Sequence, residues 1–95
     1  MMKTNQEENE VFAAIDACVE REFADVDQAR SVAVFLALTL FNKPLVSIGS
    51  HYSMSQAEID DVRRAVTTAN SKDRLMASRV AGCRLAVWKK IEQVV

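Results

Sequence analysis

Apolar residues recur along most of this chain at spacings of three and four, the period of a helix that buries one face. The exception is Val32–Phe41, VAVFLALTLF, in which Thr39 is the one polar residue. That run is longer than most strands and shorter than the roughly 20 apolar residues of a membrane span. Arg30 and Ser31 stand before it, and Asn42, Lys43 and Pro44 stop it. It predicts a buried central helix with neighbours on nearly every side. Asp25 to Gln28 has N-cap spacing, so this helix is expected to start at about Val26 to Gln28 and to end at about Asn42.

The other elements follow in order. Thr4-Asn5-Gln6-Glu7 reads as a capping box. The helix behind it carries Phe12, Ile15, Val19 and Phe23 in one stripe, with Val11 and Cys18 beside them and Glu10, Asp16, Glu20 and Arg21 between. Pro44 cannot continue the central helix but suits the first position of a new one. A short helix is therefore expected from Pro44 to about His51, with Leu45 and Ile48 inward and Gly49 permitting close approach. Ser55-Gln56-Ala57-Glu58 is the clearest capping box, opening a helix to about Ala69 with Ile59, Val62, Val66 and Ala69 on one face. Asn70 to Asp73 reads as the cap of a last helix from Lys72 to the end, with Met76, Val80, Cys83 and Val87 as its seam. Leu75, Leu85, Trp88 and Ile91 widen that stripe, and Met76 and Trp88 are expected in the core. A last helix of about 24 residues would be about 36 Å long, so part of it is expected to project and meet another copy.

The whole is an all-α domain of about five helices over residues 1–95, with 1–6 expected to fray, a core at about 28–70 and a basic helix at about 72–95. Scarce Gly and Pro fit that class. Charge adds a second layer. Net charge is −1, yet acids dominate to Gln28 and bases dominate from Ser71 on, where Lys72, Arg74, Arg79, Arg84, Lys89 and Lys90 outnumber Asp73 and Glu92. Each run is either the solvated face of its helix or a means of steering a partner.

Candidate chemistry is thin. Cys18 and Cys83 sit on apolar faces without ligand-spaced neighbours and read as buried, reduced thiols. His51 is the single histidine and reads as an exposed side chain beside Tyr52. Asp60 and Asp61 are adjacent, about 100° apart around a helix, and cannot share a proton. No Gly-rich loop or strained nucleophile turn is present, so neither an enzyme nor a cofactor or metal site is expected. The start MMKTNQEENE is acidic and polar, unlike a signal peptide, and a cytoplasmic address without membrane contact is expected.

A short helix, a tight turn and a capped second helix leaning on a buried helix form a helix-turn-helix pattern. Here the residues resemble a known family. Arg30, Val32, Ala33, Leu36, Ala37, Leu40, Asn42, Leu45, Ile48 and Gly49 fall in register with the C-terminal DNA-binding domain of the bacterial replication initiator DnaA. Tyr52 stands at a family Phe, and Ile59, Arg64 and Val66 fit the recognition helix if one residue is deleted. The likeness covers about two-thirds of the chain and implies a small helical fold of the Trp-repressor and initiator C-terminal kind. The base-reading signature of that family is replaced by Met54-Ser55-Gln56-Ala57-Glu58-Ile59, its basic loop by Asp25-Val26-Asp27, and no ATPase portion is seen. The initiator's own site and activity are therefore not implied.

Two functions are expected from different classes. The first is a dimeric DNA-binding regulator that reads a site of its own in double-stranded DNA. Gln56 would bond an adenine edge, Arg63 and Arg64 would meet phosphates, and Lys43, Ser50 and Ser55 would flank the turn. Met76, Val80, Val87, Trp88 and Ile91 are its candidate dimer contacts. The second is a protein-interaction module that presents Glu7, Glu8 and Glu10 to a basic partner. Glu58, Asp60 and Asp61 on the reading helix favour the second. An accessory protein of a bacterium or phage fits either.

Overall fold

Five α-helices succeed one another in the computed structural model: α1 Met2–Glu22, α2 Val26–Leu40, α3 Leu45–Tyr52, α4 Gln56–Lys72 and α5 Arg74–Val94. The structure describes residues 2–40 and 45–94, with side-chain surroundings for 10–39 and 46–90. The domain is all-α, and α2 is its centre, in contact with each of the other four helices. Val32, Val34, Leu36 and Ala37 are fully enclosed, which is why the run from Val32 onward needs no polar face. Asp25 caps it as expected, its Oδ1 accepting the N–H groups of Asp27 at 2.9 Å and Gln28 at 3.3 Å.

Helix α1 lays Phe12, Ile15, Val19 and Phe23 against α2 and α5, all buried together with Val11 and Cys18. It begins at Met2, so Thr4 lies inside the helix and not at its N-cap. Met and Lys propagate a helix well, and each added residue gains a backbone bond once the helix exists. Pro44, the expected start of α3, falls outside the described residues.

The turn between α3 and α4 is closed by backbone. Ser53 has φ 56°, and the Met54 N–H donates to the Gly49 carbonyl at 3.0 Å, the left-handed residue and long-range bond of a Schellman ending. Directly after it, the Ser55 capping box is complete. Ser55 Oγ accepts the Glu58 N–H at 3.2 Å, and the Ser55 N–H donates to Glu58 Oε1 at 3.1 Å. Ile59 and Val66 are buried beneath α4, with Val62 and Ala69 packed beside them.

The end of α4 departs from expectation. It continues past Ala69 to Lys72, so Asn70 and Ser71 are helical and α5 starts at Arg74 rather than Lys72. A single residue makes the corner. The Asp73 N–H closes α4 on the Ala69 carbonyl at 2.8 Å, and Asp73 Oδ1 accepts from Leu75 and Met76 at 3.0 and 3.2 Å. With both helix ends satisfied by one aspartate, no loop is required.

Met76, Val80, Cys83 and Val87 are buried on α5, as the seam predicts. The widened stripe is not. Leu75 is 61 % exposed, Leu85 56 % and Trp88 47 %, because α5 packs on α1, α2 and α4 by one line only and nothing among the described residues covers its far side. Trp88 is therefore not a core residue. Met76, Val80 and Val87 cannot be dimer contacts either, since this chain's own core already encloses them. The Ile91 side chain lies outside the described residues. Among the described residues no helix is long and apolar enough to cross a membrane.

Candidate functional site

Helices α3 and α4 meet at an open groove lined by Val46, Gly49, Ser50, Met54 and Gln56. Ser50 and Gln56 are exposed there, and Val46 is 81 % exposed. Arg63 follows Gln56 by seven residues and so returns to the same flank of α4, with Arg64 beside it. Both arginines are exposed. Of the expected DNA-binding residues, the structure thus brings Ser50, Gln56 and Arg63 to one side. It commits the Ser55 hydroxyl to the cap. Lys43 lies outside the described residues.

The acids of α4 divide. Glu58 is two residues beyond Gln56 and about 200° further around the helix. Its carboxylate turns back to the Ser55 N–H, and that bond, helped by the charge of Arg30, holds it below the usual carboxylate range. It therefore answers α4's own N-terminal N–H groups and lies on the flank away from Gln56. Asp60 does share the Gln56 flank, where it pairs with Arg63 at 3.6 Å. Both are largely exposed, so the pair is weak and salt-sensitive. Arg64 makes no ion pair among the described residues. On α1, Glu10 is exposed, while the Glu7 and Glu8 side chains lie outside the described residues.

A second cluster has no counterpart in the sequence reading. His51 stacks on Phe12 at 4.2 Å with the rings 9° apart, and its Nε2 lies 2.8 Å from Asp16 Oδ2. The Tyr52 hydroxyl donates to Asp16 Oδ1 at 2.8 Å. Arg30 donates to the Tyr52 carbonyl, so α2 also grips the end of α3. The cluster edges a groove of about 480 Å³ that includes Asp16, Glu20, Arg30, His51 and Tyr52. His51 is not simply a solvated turn residue but one arm of a clamp from α1 to α3. Its signal in the sequence is Asp16, a carboxylate at the rim of the α1 stripe. Asp16→Ala is expected to leave the buried Tyr52 hydroxyl without its acceptor and to cost about 1–3 kcal/mol. Asp16→Asn keeps an acceptor and should recover most of that, as urea midpoints will report.

The two thiols face one another across α1 and α5. Cys18 Sγ lies 3.9 Å from the Cys83 carbonyl oxygen, and Cys83 Sγ lies 3.8 Å from that of Cys18. Burial first, then the bond and charge of Cys18, push the Cys83 thiol up to about 12. Burial, with the bond to Asp16, likewise raises the Tyr52 phenol. Both groups stay protonated in the fold at pH values where the unfolded chain has lost those protons. The unfolded state then binds fewer protons, so stability falls as pH rises. Urea midpoints should drop progressively above pH of about 9, the ordinary thiol value, and a flat profile to pH of about 10.5 would contradict this.

No family model, curated protein or solved structure matches this chain, so the initiator likeness rests on the residues of Arg30–Gly49 and their neighbours alone.

Proposed function

We propose that this chain is a small DNA-binding regulator in which α3, the Ser53–Ser55 turn and α4 form a helix-turn-helix, with α4 as the reading helix. The observation that carries the proposal is the α3–α4 flank. It groups Ser50, Gln56 and Arg63, adds Arg64 beside them, and turns Glu58 the other way. Gln56, in the first turn of α4, offers the amide that reads an adenine edge in two places. Arg64 and Arg63 supply phosphate contacts that set register without specifying sequence. The residue likeness to the initiator's DNA-binding domain supports the same use of the fold, although the site must be a different one. On this reading the protein works in the cytoplasm on double-stranded DNA.

Selection from a random duplex pool tests the proposal. An enriched motif whose recovery requires Gln56 agrees with it; a pool that stays random over successive rounds overturns it.

A second reading has one observation in its favour. Glu10 and Glu20 are exposed about 80° apart around α1 without a basic partner among the described residues, a surface suited to a basic protein. Reversing Glu10 and Glu20 to Lys separates the two readings, since the α3–α4 face is untouched.

A further inference from the structure

We infer that the outward face of α5 is a docking surface for an amphipathic helix of another protein, apolar along its contact line and acidic along both flanks. This surface is separate from the α3–α4 face and does not depend on DNA binding. Met76, Val80, Cys83 and Val87 turn into the core, so the opposite line of α5 is Ser78, Ala81, Leu85 and Trp88. Those four are spaced by three, four and three, the seam of a helix-to-helix contact. Leu85 stands at the point of α5 furthest from its own core, where a surface helix is normally polar. Ala81, Arg84, Leu85 and Trp88 line an open groove there.

Gly82 lies seven residues before Lys89, on the same side of α5 and beside the seam. A β-carbon added to it would meet nothing within 4 Å. Alanine in an exposed helix is favoured over glycine by about 1 kcal/mol. Nothing among the described residues requires a glycine there.

Charge selects the occupant. Arg84 flanks the seam on one side and Lys89 on the other, both exposed. A second α5 set parallel would bring Arg84 against the other Lys89, and one set antiparallel would bring Arg84 against Arg84, repulsive in both cases. Among the described residues no other helix of a second copy serves. The apolar stripe of α1 is buried, and Val26 and Val46 are the remaining large apolar side chains exposed outside α5 among the described residues, each alone on its helix. A foreign helix with apolar knobs and Glu or Asp flanks satisfies both the seam and its rim.

The test uses the full chain and its single tryptophan, Trp88, as the reporter. The probe is a synthetic helical peptide of about three heptads with Leu at the seam positions and Glu at both flanks. A twin carries Lys at the flanks. The expected result is a saturable blue shift of Trp88 emission with the Glu peptide, at least tenfold tighter than with the Lys peptide at low salt. Leu85→Glu should remove it while leaving the circular dichroism and melting of the chain unchanged. Equal affinity for the two peptides, or no shift with either, would overturn the inference. So would sedimentation velocity showing a dimer of the chain alone that Leu85→Glu dissociates, since a second copy would then hold the face.

Discussion

Gly49→Ala is expected to destabilise the domain by about 2–3 kcal/mol, at the upper end of ordinary overpacking. The added β-carbon would stand 2.7 Å from the Met54 carbonyl oxygen, which is backbone, with Ile59 Cδ1 at 3.8 Å. Relief by movement is blocked from both sides. Gly49's own carbonyl accepts the Met54 N–H, and the next residue, Ser55, is fixed by its capping box. The sign is the informative part. In an open helix the same change is worth about 1 kcal/mol in the other direction. Gly82, with open space around it, is the matched control and should show that gain. In thermal melts Gly49→Ala should lower Tm by roughly 10–20 °C for a domain of this size. An unchanged Tm would mean that α3 and α4 do not approach as closely as described.

The second large effect concerns Arg63 and Arg64. Changing both to Ala is expected to weaken binding to duplex DNA by about one to two orders of magnitude at low salt. It should also flatten the dependence of log Kd on log salt by about 2, one for each phosphate that no longer meets an arginine. The two should not contribute equally. Arg63 shares its charge with Asp60 at 3.6 Å, whereas Arg64 makes no ion pair among the described residues. Arg64→Ala should therefore cost more than Arg63→Ala. Circular dichroism should not change in either, since both side chains are exposed. Full affinity in the double variant would move the interface off α4.

The helices themselves were legible because their signals are local. Asp25 before α2 and Ser55-x-x-Glu58 before α4 cap in the structure as their spacing implies. The enclosure of Val32 to Ala37 follows from a run that has no polar face to offer. Gly49 reads as a point of close approach, and its neighbour is the Met54 carbonyl. What could not be read depends on which elements meet. Asp16 and His51 are separated by 35 positions, and only the packing of α1 beside α3 joins them. The thiols of Cys18 and Cys83, 65 positions apart, are opposed because α1 packs on α5. Periodicity also names an apolar residue without saying whether anything covers it. Leu85 and Trp88 extend the α5 pattern on paper, yet the domain ends before reaching their side of the helix. At the α4–α5 corner, the sequence resembles a capping run of four residues, and Asp73 alone suffices.

The candidate interface divides in the same way. Gln56, Arg63 and Arg64 follow from helix spacing, but the direction of Glu58 does not. Its position suggests a charge set against phosphate; its carboxylate is instead held at the Ser55 N–H, on the far flank of α4. This removes one of the three acids that told against a DNA-reading helix and leaves two, Asp60 beside Arg63 and the exposed Asp61 three residues before Arg64.

Fluorescence anisotropy of a random labelled duplex at two salt concentrations will show whether the α3–α4 face binds duplex DNA through its phosphates. Saturable binding is expected at low salt, weakening steeply as salt rises with a slope of log affinity against log salt of about −2 or steeper. No binding even at the lower salt concentration, or binding indifferent to salt, would contradict it and leave the helix-turn-helix arrangement as a scaffold for protein contacts.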